Sequence, residues 1–218
     1  MAYHIDAEKI SLDDLRKRLE ATDLVPSRAS LLDGLEMKMK SLEKQGITTL
    51  ANLRNELKTA KRLESLAKST GIETEYLTLL RREIEGWFPK PSPLKDFDWL
   101  PKSEIAKLES DGIRDAAALY EATDSKSKRT TLAKSTGTDL AALETLTQLV
   151  DLTRVQWVSP TTARMLLEAD CTGSAKLAKA DADELAEALA RVNTGNKFFK
   201  GKIGLRDVKR LILAASYV

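Results

Sequence analysis

Two separated stretches of the chain recur at one spacing. Leu42-Glu43-Lys44-Gln45-Gly46-Ile47 returns as Leu108-Glu109-Ser110-Asp111-Gly112-Ile113, and Leu66-Ala67-Lys68-Ser69-Thr70-Gly71 returns unchanged as Leu132-Ala133-Lys134-Ser135-Thr136-Gly137, both 66 residues later. A common offset for two motifs requires an unbroken register between them, which chance likeness of Ala- and Leu-rich helices does not produce. A duplicated unit is therefore predicted over residues 35–87 and 98–153. Repeated units build surfaces suited to extended partners, and the duplication by itself identifies no reaction.

The unit reads as helical. Leu12, Leu15 and Leu19 recur at three- and four-residue spacing behind Ser11, a predicted N-cap with Asp14 in the first turn. Leu77, Leu80 and Ile84 have the same spacing, as do their repeat mates Leu143, Leu146 and Val150. Asp181-Ala182-Asp183-Glu184 has the form of a capping box before Leu185, Leu189 and Val192. No stretch alternates with period two, so the fold class is all-α.

Gly46, Gly71, Gly112 and Gly137 each follow a helical run, where a left-handed residue ends a helix, and positive φ is expected at all four. Thr49 and Asp115 stand where they can cap the next helix. Pro89-Lys90-Pro91-Ser92-Pro93 cannot continue a helix and marks a boundary. The expected organisation is an N-terminal helical extension over 1–31, repeats over 32–88 and 98–153, a Pro-rich linker at 89–97, and a C-terminal unit over 154–218. Trp87, Phe88, Phe97 and Trp99 flank the linker and are expected to anchor it to the core.

A chain of 218 residues buries enough surface for one or two cores without a staple. Cys171 is the single cysteine and His4 the single histidine, so no internal disulfide and no zinc cluster is expected. The first residues lack a basic stretch followed by an apolar one, and no apolar run approaches a membrane span. A cytoplasmic protein without a membrane partner is expected.

Charge is nearly balanced overall, 35 basic against 33 acidic residues, which argues against a globally basic nucleic-acid-binding surface. Its distribution is uneven. From residue 191 to residue 210 there are seven basic residues (Arg191, Lys197, Lys200, Lys202, Arg206, Lys209, Arg210) and one acid, Asp207. Asn196-Lys197-Phe198-Phe199-Lys200-Gly201-Lys202 interleaves aromatics with cations, a composition able to track phosphates and stack on a base. The competing expectation is a solvated loop with both phenylalanines lodged in the core.

The segment Leu152 to Leu167, with Val155, Val158, Pro160, Thr162, Ala163, Leu166 and Leu167 in place, resembles a helix-hairpin-helix motif. In that motif a tight glycine hairpin aims the amides of the second helix at backbone phosphates. Here Trp157 and Ser159 stand at the two hairpin-glycine positions, with Ser159 able to cap the helix and Pro160 to begin it. Glu168-Ala169-Asp170-Cys171 then aligns with Glu109-Ser110-Asp111-Gly112 as a weaker third copy, placing Cys171 at the glycine position.

With the Gly-Ile, LAKSTG, Val-Ser-Pro and Asp-Ala-Asp-Glu-Leu segments, the chain is similar to a bacterial family of unknown function built from tandem helix-hairpin-helix-like (SAM-like) repeats. The likeness covers residues 35–215 and implies a fold, with no catalytic residues to carry over. Candidate nucleic-acid contacts are Arg154, Ser159, Thr161 and Arg164 at the hairpin, and Lys197, Lys200, Lys202, Arg206, Lys209 and Arg210 in the basic segment.

No nucleophile–histidine pair, phosphate loop or isolated carboxylate pair is present in the sequence, so no enzyme, cofactor, metal or small-molecule substrate is expected. Two partner classes remain: DNA held by its backbone, and another protein docking on the helical units.

Overall fold

Side-chain caps set the helix boundaries. Ser11 Oγ accepts from Asp14 N at 3.1 Å while Ser11 N donates to Asp14 Oδ2, opening α1 (Leu12–Ala21) with a reciprocal box. Thr49 caps α3 (Leu50–Leu57) in the same way through Asn52, and Asp115 accepts from Ala118 N at 2.9 Å to open α7 (Ala116–Ala122). The computed structural model describes residues 2–201 and 203–218. These are all-α, with no strand among them. They form two units, 6–87, and 88–218 joined by the residues before Asp6.

In the first unit α1, a 3-10 turn (Pro26–Leu32), α2 (Leu35–Lys44), α3, α4 (Ala60–Thr70) and α5 (Thr74–Glu85) close over a leucine core. Leu15, Leu19, Leu31, Leu42, Leu50, Leu53, Leu77 and Leu80 have no exposed surface. Trp87 seals one side, its ring lying 3.8 Å beneath the buried Arg18 guanidinium. Residues 12–32 are therefore built into this core.

The second unit holds α6 (Lys102–Ser110), α7, α8 (Lys126–Thr136), α9 (Leu140–Leu152), α10 (Pro160–Glu168), α11 (Ser174–Leu177), α12 (Ala182–Val192) and α13 (Leu205–Ala215). Shifted by 66 residues, the bounds of α2 to α5 fall within one residue of those of α6 to α9. The turns correspond too. Gly46 and Gly112 have φ of 79° and 88°, and Gly71 and Gly137 have 72° and 69°. Ile47 N and Ile113 N both reach back to the helix, donating to Leu42 O and Leu108 O at 3.3 and 3.0 Å.

A Cβ on Gly112 would meet nothing within 4 Å, so Gly112→Ala carries only the cost of left-handed backbone. That cost is about 1 kcal/mol, and the thermal midpoint of the variant should fall by about 2–4 °C. An unchanged midpoint in a calorimetric scan would contradict the capping role.

A second correspondence is invisible at that offset. Leu12 N donates to Thr48 O and Leu50 N to Ile10 O; in the second unit Leu94 N donates to Arg114 O and Ala116 N to Ser92 O. Each short strap buries one leucine, Leu12 or Leu94. The straps are 82 residues apart because α1 and the 26–32 turn intervene only in the first unit. The Pro-rich stretch thus ends paired to the helical body, and Phe97 behind it is fully buried.

The alignment of the third segment is corrected by one residue. α10 lies 58 residues after α6, and Asp170, not Cys171, takes the left-handed place of Gly112 with φ of 63°. Cys171 N donates to Leu166 O as Ile113 N does to Leu108 O, so Cys171 is the buried residue after the turn. Aspartate tolerates left-handed backbone better than most residues, and Lys176 Nζ holds its carboxylate at 2.7 Å. Gly195, 58 residues after Gly137, is left-handed as well, with φ of 71°.

The N-terminal segment is anchored to the second unit. Tyr3 is buried, its Oη 3.1 Å from Thr153 Oγ1, and His4 Nε2 lies 2.8 Å from Pro89 O.

Candidate nucleic-acid interface

The turn from α9 to α10 is held by apolar plugs. Val155 and Val158 are buried, and Val158 N donates to Val155 O at 3.1 Å, closing the chain into a tight bend. Between them Trp157 takes φ of 69°, a left-handed conformation that disfavours a bulky L-residue, and leaves 51% of its surface exposed. A left-handed residue thus stands at the apex of the bend, and it carries an indole that faces solvent. Ser159 Oγ accepts from Thr162 N at 3.1 Å, and Pro160 supplies no amide. The start of α10 therefore has little left for an anion beyond the amide of the exposed Thr161.

The basic segment sits on a loop peculiar to the third helix set. After the left-handed Gly71 and Gly137, only Ile72-Glu73 and Thr138-Asp139 precede the next helix; after Gly195 the chain runs through residues 196–204 before α13. Asn193 organises this longer loop. Its Oδ1 accepts from Phe198 N and Phe199 N at 2.9 and 3.0 Å, and its Nδ2 donates to Phe199 O at 2.8 Å. Phe198 turns inward against the core, but Phe199 stays 52% exposed, so the expectation that both rings lodge inside holds for one only. A Cβ on Gly201 would lie 2.6 Å from Phe199 Cε1, so glycine there leaves room for the ring.

The candidate cations divide. Arg164 Nε and Lys197 Nζ converge on Glu168, at 3.1 and 2.6 Å, and both lie against the Phe198 ring, 5.2 and 4.7 Å from its centroid. Trp99 adds a second ring 5.2 Å from Arg164. The Lys197 hydrogen bond and, more weakly, Arg164 hold the Glu168 carboxyl below its ordinary pKa, although burial pushes it up. One carboxylate thus offsets part of this charge. Lys200, Arg206 and Lys209 are exposed nearby in the chain. Lys202 lies outside the described residues.

Two arginines are spent internally. The Arg154 side chain is 10% exposed, with Nε donating to Tyr3 O at 2.8 Å, Nη1 2.7 Å from Asp151 Oδ1, and its guanidinium 4.2 Å over Tyr120. Arg210 is 13% exposed, with Nη1 3.8 Å from Asp207. The structure therefore brings Arg164 and Lys197 together on α10 and its neighbouring loop, and turns Arg154 into the second core. Sequence reasoning missed Asn193; the lengthened interval after Gly195 was the available signal.

Among the described residues no group of three or more metal-ligating side chains occurs, and no helix is long and apolar enough to cross a membrane. Comparison with curated proteins and with solved structures finds no match. A family model, however, matches residues 100–217, which span α6 to α13 with the hairpin and the loop. On that match the chain belongs to the family defined by the domain of unknown function DUF4332.

Proposed function

We propose that this chain is a non-catalytic module, a tandem array of helix-hairpin-helix-like (SAM-like) units, that holds nucleic-acid backbone without reading base sequence. The observation that carries this reading is the 196–204 loop. It is a lengthening found in one helix set only, it is fixed by Asn193, and it presents Phe199 to solvent between Lys197 and Lys200. Exposed rings flanked by cations stack on unpaired bases while the cations follow phosphates. Trp157 offers a second exposed ring just before α10, a helix about 13 Å long. The contacts come from side chains, since Ser159 and Pro160 leave the hairpin amides little to give.

Lys197, Lys200, Arg206 and Lys209 are the cations assigned to phosphates. About four such contacts to a single strand give a log-affinity against log-salt slope near −2.8, and Lys197→Gln with Lys200→Gln should flatten it by about 1.4. Titration of an unstructured oligonucleotide at several salt concentrations reads both numbers. Absence of binding at low salt would falsify the proposal.

A protein partner is the second reading, favoured for the first unit, where Val25, Leu32 and Met37 leave apolar surface exposed. It predicts no nucleic-acid binding at any of these salt concentrations.

A further inference from the structure

The same helix positions form a cleft twice. One of about 410 Å³ lies between α3 and α5, and one of about 420 Å³ lies between α7 and α9. Their walls correspond at the 66-residue offset, but the charges are reversed. Arg54, Lys58 and Arg81 of the first cleft stand where the second has Tyr120, Asp124 and Thr147, while Glu85 matches Asp151. Three cations face one carboxylate in the first; in the second, three carboxylates face one cation, Arg129.

The second copy builds the same helix pair without these three cations. Arg81 Nη1 donates to Leu57 O at 3.4 Å, near the end of α3, which by itself would read as a helix cap. In the second copy Thr147 replaces that arginine, and Arg129 Nη1 serves the corresponding helix end through Thr123 O at 2.9 Å. In the first copy Arg62 donates instead to Asn55 O at 3.2 Å, two residues before Leu57. The end of α3 thus has a second basic donor besides Arg81, and a carboxylate, Asp124, stands in the second copy where Lys58 stands in the first.

Arg54 and Arg81 are half-buried, and burial lowers the pKa of Arg54 with Glu85 opposing the shift. A partly dehydrated guanidinium attracts an oxyanion more strongly than one in open water.

We infer that the cleft between α3 and α5 is an oxyanion pocket for a phosphorylated small molecule. Arg54 and Arg81 present planar N–H forks that match phosphate oxygens, and Lys58 adds a mobile point charge at the rim. The cleft volume falls within the range of small-ligand sites. The inference is independent of the α10 interface, which lies in the other unit.

Calorimetric titration of the full chain with pyrophosphate tests it, beside citrate as a phosphate-free polyanion and a single-stranded oligonucleotide as a competitor. Pyrophosphate is expected to bind one to one, to bind about tenfold or more weakly to Lys58→Gln and to Arg81→Gln, and to bind Lys197→Gln with Lys200→Gln as it does the parent. Lys58 is exposed, so its variant keeps the parent melting midpoint even if Arg81→Gln does not. No binding at millimolar pyrophosphate, or undiminished binding by Lys58→Gln, would overturn the inference. Equal affinity for citrate would overturn the phosphate assignment, and displacement of pyrophosphate by the oligonucleotide would assign the cleft to backbone phosphate and overturn the small-molecule source.

Discussion

Trp157→Gly should raise the melting midpoint and weaken nucleic-acid binding in the same protein. With φ of 69° the Trp157 backbone occupies a region that costs an L-residue about 1–2 kcal/mol and costs glycine almost nothing. Glycine gives back part of this through the greater freedom of its unfolded chain, leaving a net gain of about 1 kcal/mol, or about 2–4 °C. Half of the indole already faces solvent, so its removal takes little from the core. If the ring stacks on a base, its loss removes about 1–3 kcal/mol of binding, a decrease of about 5- to 150-fold. A fall in the midpoint would show that the indole is a packing residue. A rise with unchanged affinity would show that the strain serves something other than this ligand.

What could be read from the sequence depended on the range of the forces involved. Gly46, Gly112 and the LAKSTG pair were legible because capping and left-handed turns are decided within a few residues. Asp170 was misplaced by one position for a related reason: an alignment keyed to glycine overlooks a residue whose side chain tolerates the same backbone. The strap pairs at Leu12 and Leu94 leave no shared motif, since main-chain hydrogen bonds and a single buried leucine carry them.

The site was harder. A count of seven basic residues in one window cannot show that Glu168 holds two cations of the α10 interface, nor that Arg154 is taken by a backbone carbonyl 151 residues earlier in the chain. The paired clefts escaped because a search for repeats rewards positions that stayed alike, whereas Arg54 and Tyr120, or Lys58 and Asp124, are informative through their difference.

Tyr3→Ala should destabilise the second unit by about 3–5 kcal/mol, as expected for deleting a buried aromatic ring, and lower its midpoint by roughly 10 °C. The ring lies 5.1 Å from His4 and 6.0 Å from Tyr120, edge to face, and its Oη meets Thr153 Oγ1. Tyr3→Phe keeps the ring and loses only that hydrogen bond, about 1 kcal/mol.

The two variants also part at high pH. Burial raises the Tyr3 pKa above its ordinary 10.0, with Thr153 and Arg154 opposing, so the folded protein retains a proton that the unfolded chain has released. Stability from this group is full below pH 10 and falls as pH rises beyond it, and Tyr3→Phe should abolish that fraction of the alkaline loss. The family match begins at residue 100, but the fold it describes draws Tyr3, Leu94 and Phe97 into its core. A fragment of residues 88–218 should therefore melt no higher than Tyr3→Ala, because Arg154 loses the Tyr3 carbonyl together with the ring. A fragment as stable as the whole second unit would make the N-terminal segment an ornament, and the Tyr3 variants would then be silent.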